Sequence, residues 1–154
     1  MKKRNIKLAV KIFLLCLIIA GFSYGVKIIF FPDEEAKIRK TISMTVEELE
    51  RKDIINFIRH FTLDYRDCFD NTYGTLYIFL KNNIDMFKHL DIRLSQMEIE
   101  IEKPQASIKF FARATLITKD GEVYKEGGRF ILKMRKEDFK WKIYRLDEME
   151  YDFD

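Results

Sequence analysis

Residues 97–116 read MEIEIEKPQASIKFFARATL. Met97, Ile99 and Ile101 alternate with Glu98, Glu100 and Glu102. Beyond Lys103-Pro104, Ile108, Phe110, Ala112, Ala114 and Leu116 alternate with Lys109, Phe111, Arg113 and Thr115. A period of two is the mark of a strand with one buried face. A two-residue turn at Lys103-Pro104 pairs Ile101 with Ala106, Ile99 with Ile108 and Met97 with Phe110. It also sets Glu98 opposite Lys109 on the other face. Any one-residue slip would mix the faces, so the register is specified.

The pattern continues downstream with one conflict. Asp120-Gly121 is a two-residue hairpin signal, but that register sets Phe110 opposite Ile131 and Lys109 opposite Leu132. One added residue restores the match, with Phe110 opposite Leu132 and Ala112 opposite Phe130. Either the loop has three residues or Gly127-Gly128 holds a bulge. A turn at residues 135–138 then pairs Met134 with Phe139, Leu132 with Trp141 and Phe130 with Ile143. Four strands form an antiparallel meander whose apolar face needs a cover.

The cover lies upstream. Asp33, Glu34 and Glu35 suit a first helical turn, and Ile38, Ile42, Val46 and Leu49 follow at helical spacing. A second helix carries Ile54, Phe57, Ile58 and Phe61. A third, opened by Gly74-Thr75, carries Leu76, Phe79, Leu80, Phe87 and Leu90. Residues 62–73 read as a loop or very short strand. The fold class is α+β: an N-terminal transmembrane helix, then three helices on a curved four-stranded antiparallel sheet.

Leu8 to Phe31 is a 24-residue apolar run broken only by Lys11 and Lys27, and about 20 apolar residues span a bilayer as a helix. Lys2, Lys3, Arg4, Lys7 and Lys11 precede or open it, and the acidic patch follows. The positive-inside rule keeps the N-terminus cytoplasmic. The expectation is a single-pass protein of a bacterial inner membrane: residues 1–31 as tail and anchor, residues 32–154 as a periplasmic or other extracytoplasmic domain. A cleaved signal peptide is the rival, but Ser23-Tyr24-Gly25 is a poor cleavage site and the apolar run continues past it. A lipoprotein signal at Cys16 fails because Leu15 is too bulky before it.

The net charge of +3 belongs to the anchor. Six of the 28 basic residues lie in the first 31 positions and all 25 acidic ones lie beyond. The domain therefore has 22 basic and 25 acidic residues, a net of −3, which gives no support for nucleic-acid binding. Cys16 and Cys68 cannot meet across that topology, and Cys68 is expected to be a small buried apolar residue.

Three helices followed by a curved meander resemble the nuclear-transport-factor-2-like superfamily, the cystatin-like cone shared with ketosteroid isomerase. His60-Phe61-Thr62-Leu63-Asp64-Tyr65-Arg66-Asp67 followed by Gly74-Thr75 resembles its link between second and third helices. Phe139-Lys140-Trp141-Lys142-Ile143 resembles its closing strand. The resemblance covers roughly residues 33–146. It implies a cone that can host isomerases, dehydratases or scaffolds, so it does not decide function.

Enzymes of that superfamily work inside the cone, which makes His60, Asp64, Tyr65 and Asp67 the pocket candidates, with Arg66 beside them. An Asp in an apolar cone could be a general base and a Tyr an oxyanion donor. The plainer reading is that Asp64 and Asp67 cap turns, Arg66 pairs with a carboxylate and Tyr65 packs. The strand residues expected to face the cone (Met97, Ile99, Ile108, Phe110, Ala112, Phe130, Leu132, Trp141) include no acid or base. No catalytic residue is assigned. His60 and His89 have no zinc-spaced partners, and Asp64, Asp67 and Asp70 lack the rest of a calcium loop. Neither metal nor cofactor is implied.

Phe111, Ile131 and Tyr144 fall on the outer sheet face among charges and are the candidate interface for a homodimer or an envelope protein. The expected role is a membrane-anchored binding or scaffold domain. The alternatives are an isomerase- or dehydratase-like enzyme using residues 64–67, and a component of an envelope or secretion complex. An open cone holding an ionisable pair would favour the enzyme. A cone filled by Phe and Trp would favour the scaffold.

Overall fold

The structure is a computed structural model that describes residues 33–148. The described residues from Ile38 onward belong to one compact unit. The expected anchor at residues 8–31 lies outside the described residues. Among those described, no helix is long and apolar enough to cross a membrane.

Helix α1 (Glu34–Glu50) buries Ile38, Ile42 and Thr45, the face that its apolar spacing specifies. The short α2 (Ile54–Ile58) is capped by Asp53, whose carboxylate accepts the Asn56 N–H, and buries Ile54, Phe57 and Ile58. Strand β1 (Phe61–Asp67) follows. Helix α3 (Tyr73–Asn83) starts at a capping box in which the Thr72 and Thr75 side chains each bond the other's backbone N–H. A 3-10 turn (Ile84–Met86) leads into β2 (Phe87–Glu102), β3 (Gln105–Thr118), β4 (Val123–Glu137) and β5 (Lys140–Glu148).

The sheet has five strands in the order β1-β5-β4-β3-β2, not four. Strand β1 runs parallel to β5, with Phe61 beside Ile143 and Asp67 beside Leu146, so the sheet is mixed rather than wholly antiparallel. The expected loop at residues 62–73 is a strand over its first half. The third helix stops at Asn83, and Phe87 and Leu90 belong to β2. Their i, i+3 spacing is helical, and it is the ladder slip between Phe87 and His89 that lets both pack on one side of the strand.

The Lys103-Pro104 turn gives the expected pairs Ile101–Ala106, Ile99–Ile108 and Glu98–Lys109. The ladder then slips between Ser95 and Glu98, so Gln96 and Met97 together oppose Phe110. This bulge bends β2. The β3–β4 loop has three residues, but its centre lies one residue earlier than expected. Thr118 N–H donates to Glu122 O (2.9 Å) and Gly121 N–H to Thr118 O (3.1 Å), with Gly121 at φ 89°. Phe110 therefore faces Phe130, and Ile108 faces Leu132, with no bulge at Gly127-Gly128. Parity survives, so the faces are as expected.

The last hairpin turns at Asp138-Phe139, both in the left-handed region (φ 46° and 65°). Phe139 is 91% exposed instead of on the core face. Met134 pairs with Ile143, and a second slip sets Leu132 opposite Leu146.

The main core joins Ile38, Ile42, Phe57 and Ile58 of the helices to Ala106, Ile108, Phe110, Leu132, Met134, Trp141 and Ile143 of the sheet. At the free edge of β2, the Glu50 carboxylate accepts the Ile92 N–H (2.6 Å) and the Lys52 ammonium donates to Phe87 O (2.5 Å). Cys68 is exposed, not buried.

Two stability changes follow. Trp141, 3% exposed, should cost about 3–5 kcal/mol when cut to Ala. Phe139→Gly should instead raise stability by about 1 kcal/mol, because Gly takes φ > 0 without strain. Denaturant midpoints of the two variants against wild type check both signs.

Candidate functional site

The curved sheet and α1 do not meet over their whole length. Between them lies a cavity of about 380 Å³, near the lower end of the range for small-molecule sites, about 300–1,000 Å³. The C-terminal half of α1 gives it Ile42, Thr45, Val46 and Leu49. The sheet gives Ile92, Leu94, Phe110, Ala112, Phe130, Leu132, Ile143 and Leu146. The Phe110 and Phe130 rings stack with centroids 6.0 Å apart. Phe57, Phe61 and Tyr65 form a run of contacting rings, 4.9 and then 4.8 Å between centroids. This run walls the side where α2 hands over to β1.

The cavity opens between Phe69 and Phe79, which line it while being 59% and 57% exposed. Helix α3 has no fully buried residue, and its Leu76 and Phe79 look into this space. The cone is thus open, not filled by aromatic side chains, and Trp141 packs in the core without lining it.

The polar side chains Thr45, Tyr65, Asp67 and Asn71 on the wall already have protein partners. The Thr45 hydroxyl donates to Thr41 O (2.8 Å). The Tyr65 hydroxyl donates to Asp67 Oδ2 (3.3 Å). Asp67 Oδ1 accepts the Phe69 and Asn71 N–H groups (2.9 and 2.8 Å), and Oδ2 accepts Asn71 Nδ2 (3.1 Å). This is the geometry of an Asx turn. It folds residues 68–72 back, sets Phe69 at the mouth and delivers Thr72 to cap α3. Burial, reinforced by the Asp67 charge, pushes the Tyr65 phenol far above its ordinary range; it stays protonated and remains a donor.

Of the four pocket candidates, Tyr65 and Asp67 reach the cavity. Asp64 lies on the other side of β1, largely exposed, where Arg135 grips it with two hydrogen bonds (2.8 and 3.2 Å). That guanidinium holds the Asp64 carboxyl at about 2. Arg135 also bonds Glu137 (2.6 Å) and lies over the Tyr144 ring (5.4 Å). His60 pairs with Glu48 of α1 (2.8 Å) and joins α1 to the start of β1 outside the cavity. Phe111, Ile131 and Tyr144 share the convex face, each half-buried.

Reading the sequence missed Phe69, Asn71, Ile92 and Leu94. Phe69 was legible only as an aromatic residue in a polar loop, and the apolar alternation that marks β2 is read only from Met97, beyond Ile92 and Leu94. Among the described residues no group of three His, Cys, Asp or Glu side chains could hold a metal ion.

No protein-family model matches the chain, and a search of curated proteins finds no match. Solved structures do match. One is a "Putative Scytalone Dehydratase" from Novosphingobium aromaticivorans, with TM-score 0.70 and 16% identity, covering 79% of this chain and 88% of that one. Another is a nuclear-transport-factor-2-like superfamily protein from Salmonella enterica, with TM-score 0.64 and 14% identity, covering 74% and 88%. A third is a protein of unknown function with a cystatin-like fold from Nostoc punctiforme, with TM-score 0.60 and 13% identity, covering 75% and 89%. These likenesses show the fold, an α+β cone of the nuclear-transport-factor-2-like kind.

The Asp64–Arg135 pair makes a pH prediction. A carboxyl held below its unfolded value adds stability above the unfolded pKa, near 4, and loses it as pH falls toward the folded value. The stability gap between wild type and Asp64→Asn should be constant from neutral pH to about pH 5 and close between about pH 4 and 2. Denaturant melts across that range measure it. A gap that persists at pH 2 would mean that Arg135 does not hold Asp64.

Proposed function

We propose that the chain is a membrane-anchored extracytoplasmic binding module whose cone takes a small apolar ligand. One observation carries this reading: a cavity of about 380 Å³ is walled by hydrocarbon and aromatic rings, and its Thr45, Tyr65 and Asp67 oxygens already have protein partners. A ligand there gains contact area and needs to bring little hydrogen bonding. The apolar run at residues 8–31 supports the anchor, and the basic flank before it supports export of the domain.

The enzyme reading has a specific observation in its favour. Tyr65 and Asp67 form an ionisable pair on the cavity wall, in a fold shared with the Novosphingobium protein. Against it, an Asp67 acting as general base would have to accept a substrate proton with both oxygens already engaged. The binding reading is therefore preferred.

Ala112 separates the readings from outside the polar cluster. Ala112→Phe should fill the cavity while the fold persists. In lipid nanodiscs, thermal unfolding of the full chain with naphthalene, indole or decanol should rise for wild type, by about 2.7 kcal/mol at a hundredfold excess over Kd. It should not rise for Ala112→Phe. Asp67→Asn should keep the ligand-induced rise. Loss of that rise in Asp67→Asn alone would favour a polar, catalytic site.

A further inference from the structure

We infer that the convex face of the sheet carries an anion site, built by Arg93, Arg113 and Lys125, for a small soluble phosphate-bearing ligand. The ladder sets Arg93 of β2 directly opposite Arg113 of β3. Like charges so placed repel. Asp91 pairs with Arg93 (3.1 Å), but among the described residues no carboxylate pairs with Arg113 or Lys125. The three cations line one groove of about 450 Å³ together with Thr115, which lies opposite Lys125.

Gly127 forms the floor of that groove opposite Arg113. A side chain there would come 3.3 Å from Cζ of the Phe111 ring. The missing side chain leaves the floor open and lets Phe111 lie across it, with the Arg113 guanidinium 5.9 Å from the ring centroid. Arg129, opposite Phe111, adds positive charge to the same face.

Two guanidinium forks, an ammonium and a hydroxyl offer more donors than a two-oxygen carboxylate can use. A phosphate group, with three free oxygens and nearly two charges, matches them. Asp91 and Glu126 also line the groove. They would repel a continuous anionic surface such as a bilayer, whereas a small ligand can sit between the cations alone. Two copies joined about Phe111 would set these cations against their own kind.

Equilibrium dialysis of radiolabelled inorganic phosphate tests the site, using the full chain in phosphatidylcholine nanodiscs at low salt. Saturable binding is expected, competed by sulfate and not by chloride. It should weaken about tenfold or more in Arg113→Gln and in Lys125→Gln, since charge-assisted bonds are the strong ones. Both side chains are exposed, so thermal melts should match wild type. Lys142→Gln, on the same face elsewhere, should bind as wild type. Absence of saturable binding, or equal affinity in all three variants, overturns the assignment. So does loss of phosphate binding when phosphatidylglycerol replaces half the lipid, because bilayer headgroups would then be the occupant.

Discussion

Curvature of the sheet is the constraint from which the cavity follows. A flat sheet with one apolar face would take α1 along its whole length and leave no space. Here two of the ladder's slips flank its middle, at Gln96-Met97 in β2 and at Tyr144 in β5. Each slip adds local twist and bends its strand. The two bends lie on strands flanking β3 and β4, so the middle of the sheet becomes the floor of a trough. Helix α1 closes the trough where Ile38 and Ile42 reach the core and stands off further along, where Val46 and Leu49 meet the void.

Strand β1 makes the trough a pocket by adding to β5 in parallel and turning its aromatic residues inward. The Ile143 N–H donates to His60 O (2.8 Å) and the Cys68 N–H to Leu146 O (2.9 Å), fixing the strand at both ends. Between these points Phe61 and Tyr65 continue the aromatic wall begun by Phe57. Asp67 then reverses the chain. The one candidate carboxylate that reaches the cavity is therefore the hinge pin of the mouth, and its place on the cavity wall is a consequence of that structural task. A turn-forming Asp and a catalytic Asp occupy the same place in such a loop; the hydrogen bonds to Phe69, Asn71 and Tyr65 tell them apart.

Most of the sheet was legible because parity is hard to hide. Ile99, Ile101, Ala106 and Ile108 alternate without interruption, and the expected pairs are the observed ones. Except at Phe139, which left the core face for the turn, what failed was distance along the strand and not the face. The β3–β4 loop slid by one residue and Asp138-Phe139 took a turn that a Phe seldom occupies, yet Leu132, Trp141 and Ile143 still point inward. β1 was not legible because its slip between Phe61 and Arg66 destroys the alternation that would have announced it. Of the site, Tyr65 and Asp67 were found, while Asp64 and His60 were carried along by adjacency in sequence. A strand sends neighbours to opposite sides, and nothing in the residue types alone says which side is the cone.

The bonds from Glu50 and Lys52 to β2 have a bearing on behaviour in a crowded compartment. A sixteen-residue edge strand is a template on which another chain could add. Glu50 occupies the Ile92 donor and Lys52 the Phe87 acceptor, so the first stretch of that template is already taken. The bulge at Gln96 then throws the rest out of phase. A stray strand can match one half of the edge or the other, never both, and intermolecular zippering stalls before it is long enough to persist.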